Sequence, residues 1–300
     1  MSLLFLLLVL VPSEDSFSGL DKTEKPPFKI FHNTGERLTS IILAAAEDSR
    51  TFIKETTGLE INEEVTIVVL RNRKSYEQFV AKEGGERFSV GIAFTERSLL
   101  VIDASAEHSI ISPASGILRH ELFHIALARF SAKETIKIPL WFNEGVAQFL
   151  ESRSLTYLEE QDIATLARGG QLKPFSELAD GYPQDESQRR IMYLASLSFV
   201  SYLIGNEPSK LRSLFNGLKE KKDFNKAFES AFGDSVDRFQ LLWQASMSKE
   251  YSFWWQFLLR TTSDYLIFAI LVIVLVIVYF IRRRRSIRQL QELGDSEQEE

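Results

Sequence analysis

Hydrophobic and polar positions divide the chain into a region of mixed strands and helices, followed by a region of helices alone. In the first region, short apolar or alternating runs predict strands at Phe28–His32, Val65–Leu70, Ser89–Phe94 and Leu99–Asp103. Helical spacing predicts helices at residues 36–57 and 74–82. The polar residues 13–27, which include Pro26 and Pro27, are interpreted as a linker. We therefore expect a small mixed sheet with helices packed against it in residues 28–114.

After Ser115, every periodic segment has the spacing of a helix. These segments are residues 115–131, 140–153, 156–167, 187–205, 208–219, 222–232 and 234–248. The pattern predicts an α+β fold, in which an α/β part at 28–114 and a helical part at 115–249 together form one domain at 28–249.

Two uninterrupted apolar segments depart from this pattern. Residues 2–11 are too few to span a bilayer, and their length suits the apolar region of a signal peptide, which we place at residues 1–18. An N-terminal strand or buried helix is the alternative. The second segment, Tyr265–Ile281, contains no charged residue and is followed directly by Arg282–Arg285. It is predicted to be a C-terminal transmembrane helix.

Basic residues around the second segment predict its orientation. Five arginines lie within ten residues after it, whereas only Lys249 and Arg260 occupy a comparable stretch before it. Cytoplasmic flanks carry the excess of basic residues. We therefore expect a single-pass protein of the cell membrane that contacts the lipid bilayer through residues 265–281. Its domain would lie on the outer side, and residues 282–300 would form a cytoplasmic tail.

Composition excludes several kinds of chemistry. The chain has no cysteine, which rules out disulfides, thiol catalysis, cysteine-ligated zinc and iron–sulfur clusters. A formal net charge of −6 argues against nucleic acid as a partner, because phosphate binding requires a basic surface. The hydrophobic fraction of 45% is enough for a sizeable core.

A pair of histidines with a glutamate between them gives the strongest chemical signal. His120, Glu121 and His124 form the pattern H-E-x-x-H in a helical segment that contains no proline. Positions i and i+4 share one face of a helix, so both imidazoles can bind one metal ion. Glu121 would project beside the metal and suits a general base. The alternative is that the two histidines make ordinary core or surface contacts.

A catalytic zinc ion needs a third protein ligand, and Glu144 is the candidate. Nineteen residues separate His124 from Glu144, and residues 133–139 supply a turn by which a second helix can return over the first. A glutamate on a helix is usually a solvated surface residue. At this spacing, within Trp-x-x-Glu-Gly-x-Ala, we predict a zinc site made of His120, His124 and Glu144, with one coordination position left for substrate.

These motifs resemble those of the gluzincins, specifically the peptidase MA-like group that includes the zinc aminopeptidases. That group combines H-E-x-x-H with N-E-G-x-A about eighteen to twenty residues later; this chain has HELFH and NEGVAQFLE. The resemblance covers residues 60–248 and implies a zincin-like lobe and zinc-dependent peptide-bond hydrolysis. A tyrosine at the start of a later helix points to the zinc site in that family. The resemblance gives this place to Tyr193, as a stabiliser of the oxyanion, and Tyr182 is the next candidate.

One departure from the family concerns where a substrate would be cut. The aminopeptidases hold the free amine of a substrate with a G-x-M-E-N motif, whereas Gly91–Phe94 has no glutamate. We therefore expect an endopeptidase acting on a peptide or protein, with Gly91–Phe94 as an edge strand that binds an extended peptide. A zinc-binding but inactive binding module is the alternative, and the presence of Glu121 argues against it.

Weaker candidates surround these motifs. Gln148 and Glu151 lie one and two turns beyond Glu144 and could orient the ligands, although surface or helix-pairing roles fit them equally well. Arg189 and Arg190 could meet a substrate carboxylate, but solvated charge is the simpler interpretation. We assign no function to the two remaining histidines, His32 and His108.

Overall fold

Five strands form one mixed sheet in the first part of the chain. The computed structural model describes residues 17–85, 90–105, 114–205, 207–250 and 268–280. The strands are β1 (Asp21–Lys25), β2 (Phe28–His32), β3 (Val65–Leu70), β4 (Gly91–Phe94) and β5 (Leu99–Asp103), in the spatial order β1-β2-β3-β5-β4. The central strands β2, β3 and β5 are parallel to their neighbours in this group, and β1 and β4 pair antiparallel at the two edges.

The central strands are apolar because both faces of the sheet are covered. Every residue of β5 is buried, as is every residue of β3 except the half-buried Thr66. Such strands have continuous apolar sequences rather than alternating ones. Parallel neighbours require a crossover, and helix α1 (Glu36–Thr57) supplies it between β2 and β3. Helix α2 (Arg73–Lys82) follows β3 and also contacts the sheet.

Seven further helices complete the described part of the domain. They are α3 (Ala114–Glu134), α4 (Leu140–Leu150), α5 (Tyr157–Arg168), α6 (Glu186–Ile204), α7 (Ser209–Lys221), α8 (Phe224–Phe232) and α9 (Val236–Glu250). Side chains cap several of their first turns: Thr156 and Glu159 form a reciprocal capping box on α5, and Asp185 accepts from the Gln188 N–H on α6. The α+β architecture with a small mixed sheet agrees with the sequence prediction.

A cluster of aromatic side chains forms the core between the later helices. Trp141 of α4 lies with its ring centroid 5.3 Å from that of Phe199 on α6, and Phe199 stacks on Phe175 at 4.6 Å. All three rings are at most 1% exposed. The Trp243 indole N–H donates to Ser198 Oγ at 3.1 Å, which satisfies the polar atom of an otherwise buried ring. Full burial of an aromatic side chain stabilises the fold by roughly 1.5–3 kcal/mol.

Gly145 allows α4 and α6 to approach each other closely. A Cβ atom at this position would lie 2.6 Å from the Ser196 carbonyl oxygen and 2.6 Å from Val200 Cγ2. Real Cβ atoms do not make such contacts, so any larger residue would push the two helices apart. The helix that carries Glu144 is therefore seated directly on α6.

The N-terminal linker prediction is wrong in part, because residues 21–25 form strand β1. Its sequence, Asp-Lys-Thr-Glu-Lys, has no apolar residue. At the edge of a sheet, main-chain hydrogen bonds to β2 hold such a strand, and charged side chains discourage pairing with a further chain.

The predicted transmembrane helix at Tyr265–Ile281 is also wrong. Within that segment the structure describes residues 268–280, all of which are helical. Among the described residues, no helix has both the length and the apolar character needed to cross a membrane.

Predictions that depended on that helix are corrected with it. The single-pass location in the cell membrane, the placement of the domain on the outer side and the contact with a lipid bilayer were all inferred from a span at 265–281. Residues 1–16 of the predicted signal peptide and residues 282–300 of the predicted cytoplasmic tail lie outside the described residues. The chain divides into two compact units, Met1–Ser246 and Met247–Glu300, and the site described next lies in the first.

Candidate metal centre

Helices α3 and α4 bring the three predicted ligands together. The helices contact each other and are joined by a short connection in which Thr135 adopts a left-handed backbone conformation (φ 56°). The Ile136 N–H donates to the Ser131 carbonyl at 3.0 Å and closes the end of α3. The chain thereby turns back, and the middle of α4 lies beside the H-E-x-x-H segment of α3.

The ligand atoms of His120, His124 and Glu144 face one another. The Nε2 atoms of His120 and His124 lie 3.9 Å and 3.8 Å from the same carboxylate oxygen, Glu144 Oε2. One ligand atom from each residue lies within 4.8 Å of the other two. The imidazole centroids are 4.8 Å apart, with the rings nearly perpendicular. This is the donor set of a His₂Glu zinc site, which leaves a coordination position open.

Hydrogen bonds at the opposite ring nitrogens fix the orientation of both histidines. His120 Nδ1 lies 3.2 Å from Glu151 Oε2, and His124 Nδ1 lies 2.9 Å from Asn143 Oδ1. Both partners offer oxygen acceptors, and a neutral imidazole that donates from Nδ1 to such an oxygen keeps the lone pair on Nε2 for a metal ion. Metal-binding histidines are generally held in this way by a carboxylate or carbonyl behind them. The residues present therefore fit a zinc ion.

Charge and partial burial act in opposite directions at His120. Burial lowers the pKa of His120, but the hydrogen bond to Glu151 and the charges of Glu121, Glu144 and Glu151 outweigh it and raise that pKa above its ordinary value. The same hydrogen bond lowers the pKa of the Glu151 carboxyl, against the effect of its burial. In the absence of a metal, the centre therefore favours a positive charge on His120, close to the position that a divalent cation would take.

The side chain of Glu121 on α3 lies beside the edge strand β4. A Cβ atom added to Gly91 of β4 would lie 3.4 Å from Glu121 Cγ and only 2.6 Å from Ile117 Cγ2. Glycine at position 91 is therefore what allows the strand to run this close to α3. Among the described strands, β4 pairs with β5 alone, so its other edge is the outer edge of the sheet.

Two tyrosines contact each other near the start of α6: Tyr193 lies on the helix and Tyr182 in the loop before it. The Tyr193 carbonyl accepts a hydrogen bond from Gln148 Nε2 at 3.0 Å, and the same amide group also donates to the Glu144 carbonyl at 3.2 Å. The Tyr182 ring packs against the Tyr193 ring, with 4.5 Å between centroids. The Tyr182 hydroxyl lies 2.9 Å from Ser196 Oγ.

A family model for the peptidase MA superfamily matches residues 45–249, a range that contains both ligand-bearing helices and the tyrosines. The chain belongs to the peptidase MA superfamily. Peptidases of this superfamily are generally zinc-dependent, which agrees with the His-His-Glu group found here. No curated protein matches the chain.

The other residues considered from the sequence differ in what they contact. Glu151 contacts a ligand histidine, whereas Gln148 bonds two backbone carbonyls and Arg153. Arg190 pairs with Glu159 at 3.6 Å, and Arg189 donates to the Gln184 carbonyl. His32 is buried against threonines of the sheet region, and His108 lies outside the described residues.

Sequence reasoning gave no role to Asn143, the acceptor behind His124. Its place directly before Glu144, in the Asn-Glu-Gly motif, was the available signal.

Proposed function

We propose that this protein is a zinc-dependent peptidase that cleaves internal peptide bonds, with His120, His124 and Glu144 as the metal ligands. The observation that carries the proposal is the convergence of two Nε2 atoms on one Glu144 oxygen, with both Nδ1 atoms already engaged. A contact that only joined two helices would gain little from such a set, because removing two imidazoles and a carboxylate partly from water costs free energy. Here their ligand atoms face one another, as metal binding requires.

A zinc ion bound by these residues would supply Lewis-acid activation of water and of the scissile carbonyl. The protein would supply the proton transfers. Glu121, adjacent to His120 and beside β4, would take the proton of the attacking water and pass it to the leaving amine. This role requires a carboxylate that lies next to the metal ligands and does not itself bind the metal. The position of Glu121 on α3, directly after His120, supports this assignment.

Tyr193 is the proposed stabiliser of the developing oxyanion. It lies on α6, and its backbone is tied through Gln148 to the helix turn that carries Glu144. A phenolic O–H that donates to the oxyanion more strongly in the transition state than in the ground state would lower the barrier to turnover.

Strand β4 supports cleavage within a chain rather than at its amino terminus. An extended peptide that paired with the outer edge of β4 would pass beside Glu121, since the side chain of Glu121 approaches Gly91. The β4 sequence, Gly-Ile-Ala-Phe, offers no carboxylate to bind a substrate's free ammonium group. The proposed substrates are therefore peptides or unfolded protein segments bound in extended form.

The deciding experiment replaces Glu121 by Gln in the full chain. Glu121→Gln keeps the size of the side chain and should retain one zinc ion per chain, while hydrolysis of labelled casein falls at least ~100-fold, because the general base is lost. Zinc content by mass spectrometry and casein cleavage rate are the two measurements. Glu36→Gln, at an exposed position on α1, is the matched control and should retain full activity.

Each result has a definite meaning. Zinc binding without cleavage in the wild-type protein would support the alternative of an inactive zinc-binding module. Cleavage that is equal in wild type and Glu121→Gln would reject the mechanism, even if the zinc site is intact.

A further inference from the structure

The hydroxyl of Tyr182 is committed to a neighbour inside the protein. Ser196 Oγ donates its own proton to the Met192 carbonyl at 2.8 Å, so it must accept from Tyr182 in their 2.9 Å contact. Ser196 is fully buried on α6. Tyr182 therefore anchors the loop before α6 to the interior of that helix, and its O–H is not available to a substrate.

The other end of this arrangement is the ring contact with Tyr193. The two ring centroids are 4.5 Å apart and the planes are inclined by 46°. Tyr193 is thus held at two points: its ring lies against Tyr182, and its carbonyl accepts from Gln148. Because Gln148 also bonds the Glu144 carbonyl, the ring pair is connected through backbone groups to the metal-ligand turn of α4.

Burial keeps the Tyr182 phenol in its neutral form. Burial raises the pKa of Tyr182, the hydrogen bond to Ser196 opposes this rise, and the negative charge of Glu144 adds to it. The phenol therefore keeps its proton and stays a hydrogen-bond donor to Ser196. A neutral, internally bonded ring is suited to holding a neighbour in place, and it brings no charge of its own.

We infer that Tyr182 is a positioning residue, whose anchored ring holds the Tyr193 phenol in the orientation needed for turnover. This inference rests on the proposed function, in which Tyr193 acts on the oxyanion. The loop before α6 thus contributes to catalysis through a neighbour, without touching the substrate. Ser196 contributes to the same positioning, because it accepts the hydrogen bond that fixes the hydroxyl of Tyr182.

A double-mutant cycle tests the inference. Tyr182→Leu removes the ring and keeps apolar bulk, Tyr193→Phe removes only the hydroxyl being positioned, and the double variant combines them. Turnover number and KM are measured on internally quenched peptides that the wild type cleaves. Tyr182→Leu alone should lower the turnover number ~10-fold with little change in KM, since small misplacements of a catalytic group cost up to ~100-fold. In the Tyr193→Phe background the same change should alter turnover less than ~2-fold.

Two milder variants measure the contribution of the Tyr182–Ser196 hydrogen bond separately from that of the ring contact. Tyr182→Phe and Ser196→Ala both break the hydroxyl anchor and leave both rings, so each should lower turnover by the same amount, ~3-fold, and less than Tyr182→Leu. Tyr202→Leu, a half-exposed tyrosine on the same helix, is the matched control and should leave turnover unchanged. Zinc content and Tm are recorded for every variant, so that a loss of fold is seen directly.

The outcomes separate this inference from the function on which it rests. Equal losses from Tyr182→Leu in both backgrounds would mean a general structural role and overturn the inference, while activity that depends on Glu121 stays intact. Full activity of Tyr193→Phe combined with a large loss in Tyr182→Phe would make Tyr182 the donor and also overturn it. Wild-type turnover that is insensitive to Glu121→Gln would overturn the proposed function and this inference together.

Discussion

The two faces of α4 differ in what their side chains contact. On one face, Glu144 and Asn143 point towards the histidines of α3. The Glu144 carboxylate lies near the Nε2 atoms of both histidines, and Asn143 Oδ1 contacts Nδ1 of the second. On the other face, Trp141 and Phe142 are buried in the aromatic core, and Gly145 is in backbone contact with α6. One short helix thus carries a candidate metal ligand on one face and core side chains on the other. Changes on the polar face should alter metal binding and change the free energy of unfolding by no more than about 1 kcal/mol. Changes on the apolar face should lower the free energy of unfolding and leave metal binding nearly unchanged.

The strongest test of this separation is Glu144→Ala. Loss of a direct ligand should weaken zinc binding by more than ~100-fold, beyond the 10–100-fold typical of groups behind a ligand. The Tm of the metal-free protein should stay nearly unchanged, because this carboxylate is not part of the apolar core. Competition with a chelating dye measures the affinity. Glu220→Ala, on an exposed turn of α7, serves as the control. If Glu144→Ala keeps the wild-type affinity, the third ligand lies elsewhere.

The corresponding change on the apolar face is Trp141→Ala. Removing a fully buried indole should lower the free energy of unfolding by ~3–5 kcal/mol, through lost contacts and the cavity left behind. Zinc affinity of the protein that remains folded should change less than ~3-fold. Urea unfolding in EDTA measures the first quantity and dye competition the second. Leu158→Ala, at a mostly exposed position on α5, should cost no more than ~0.5 kcal/mol. A large fall in zinc affinity in folded Trp141→Ala would show that the two faces are coupled.

Much of this arrangement follows from local sequence, and some does not. Strands β2, β3 and β5 were predictable because their apolar runs are bounded by polar turns, and the helices after Ser115 because of their spacing. Strand β1 was not, because an exposed edge strand is held by its backbone and leaves no apolar pattern. Hydropathy alone also predicted a membrane-spanning helix at 265–281, whereas no helix among the described residues has the length and apolar character to cross a bilayer.

At the site, the motif spacing predicted which ligands meet but left their supports open. Gln148 and Glu151 were equivalent candidates in sequence, since both follow Glu144 within the helix predicted at 140–153. In the structure Gln148 lies on α4, and Glu151 directly follows its last residue. Which of them reaches a histidine depends on how α4 crosses α3, and helix crossings are set by side chains from several segments. The crossing brings Glu151 to His120 and turns Gln148 towards α6.

Glu151, at the C-terminal end of α4, and Gln148, within its last turn, therefore provide a matched pair. Glu151→Gln should weaken zinc binding by ~10–100-fold, about 1.4–2.7 kcal/mol, because the carboxylate that orients His120 and increases its basicity becomes a neutral amide. Gln148→Ala should leave zinc affinity within ~3-fold, since this side chain bonds backbone carbonyls and Arg153 instead of a ligand side chain. Equal effects of the two substitutions on zinc affinity would contradict the assignment of Glu151 to His120.

The smallest effect concerns the His120–Glu151 pair in the metal-free protein. The pKa of His120 is raised from an ordinary value of 6.5, so its contribution to stability is complete below 6.5 and is lost as the pH rises through the raised pKa. The pKa of Glu151 is lowered from 4.5, so its contribution is complete above 4.5 and is lost as the pH falls through the lowered pKa. The pair should stabilise the fold fully only between these two ordinary values.

Unfolding in EDTA at pH 5.5 and at pH 9 measures this window. Because about a third of the Glu151 side chain is exposed, solvent screening limits the pair to roughly 1 kcal/mol. The difference in unfolding free energy between wild type and Glu151→Gln should therefore be about 1 kcal/mol larger at pH 5.5 than at pH 9. Glu220→Gln should show no such dependence. A difference that stays constant with pH would mean that His120 is neutral in the metal-free centre and that its contact with Glu151 is a plain hydrogen bond. In that case the polar face of α4 would not favour a positive charge on His120 before a metal binds.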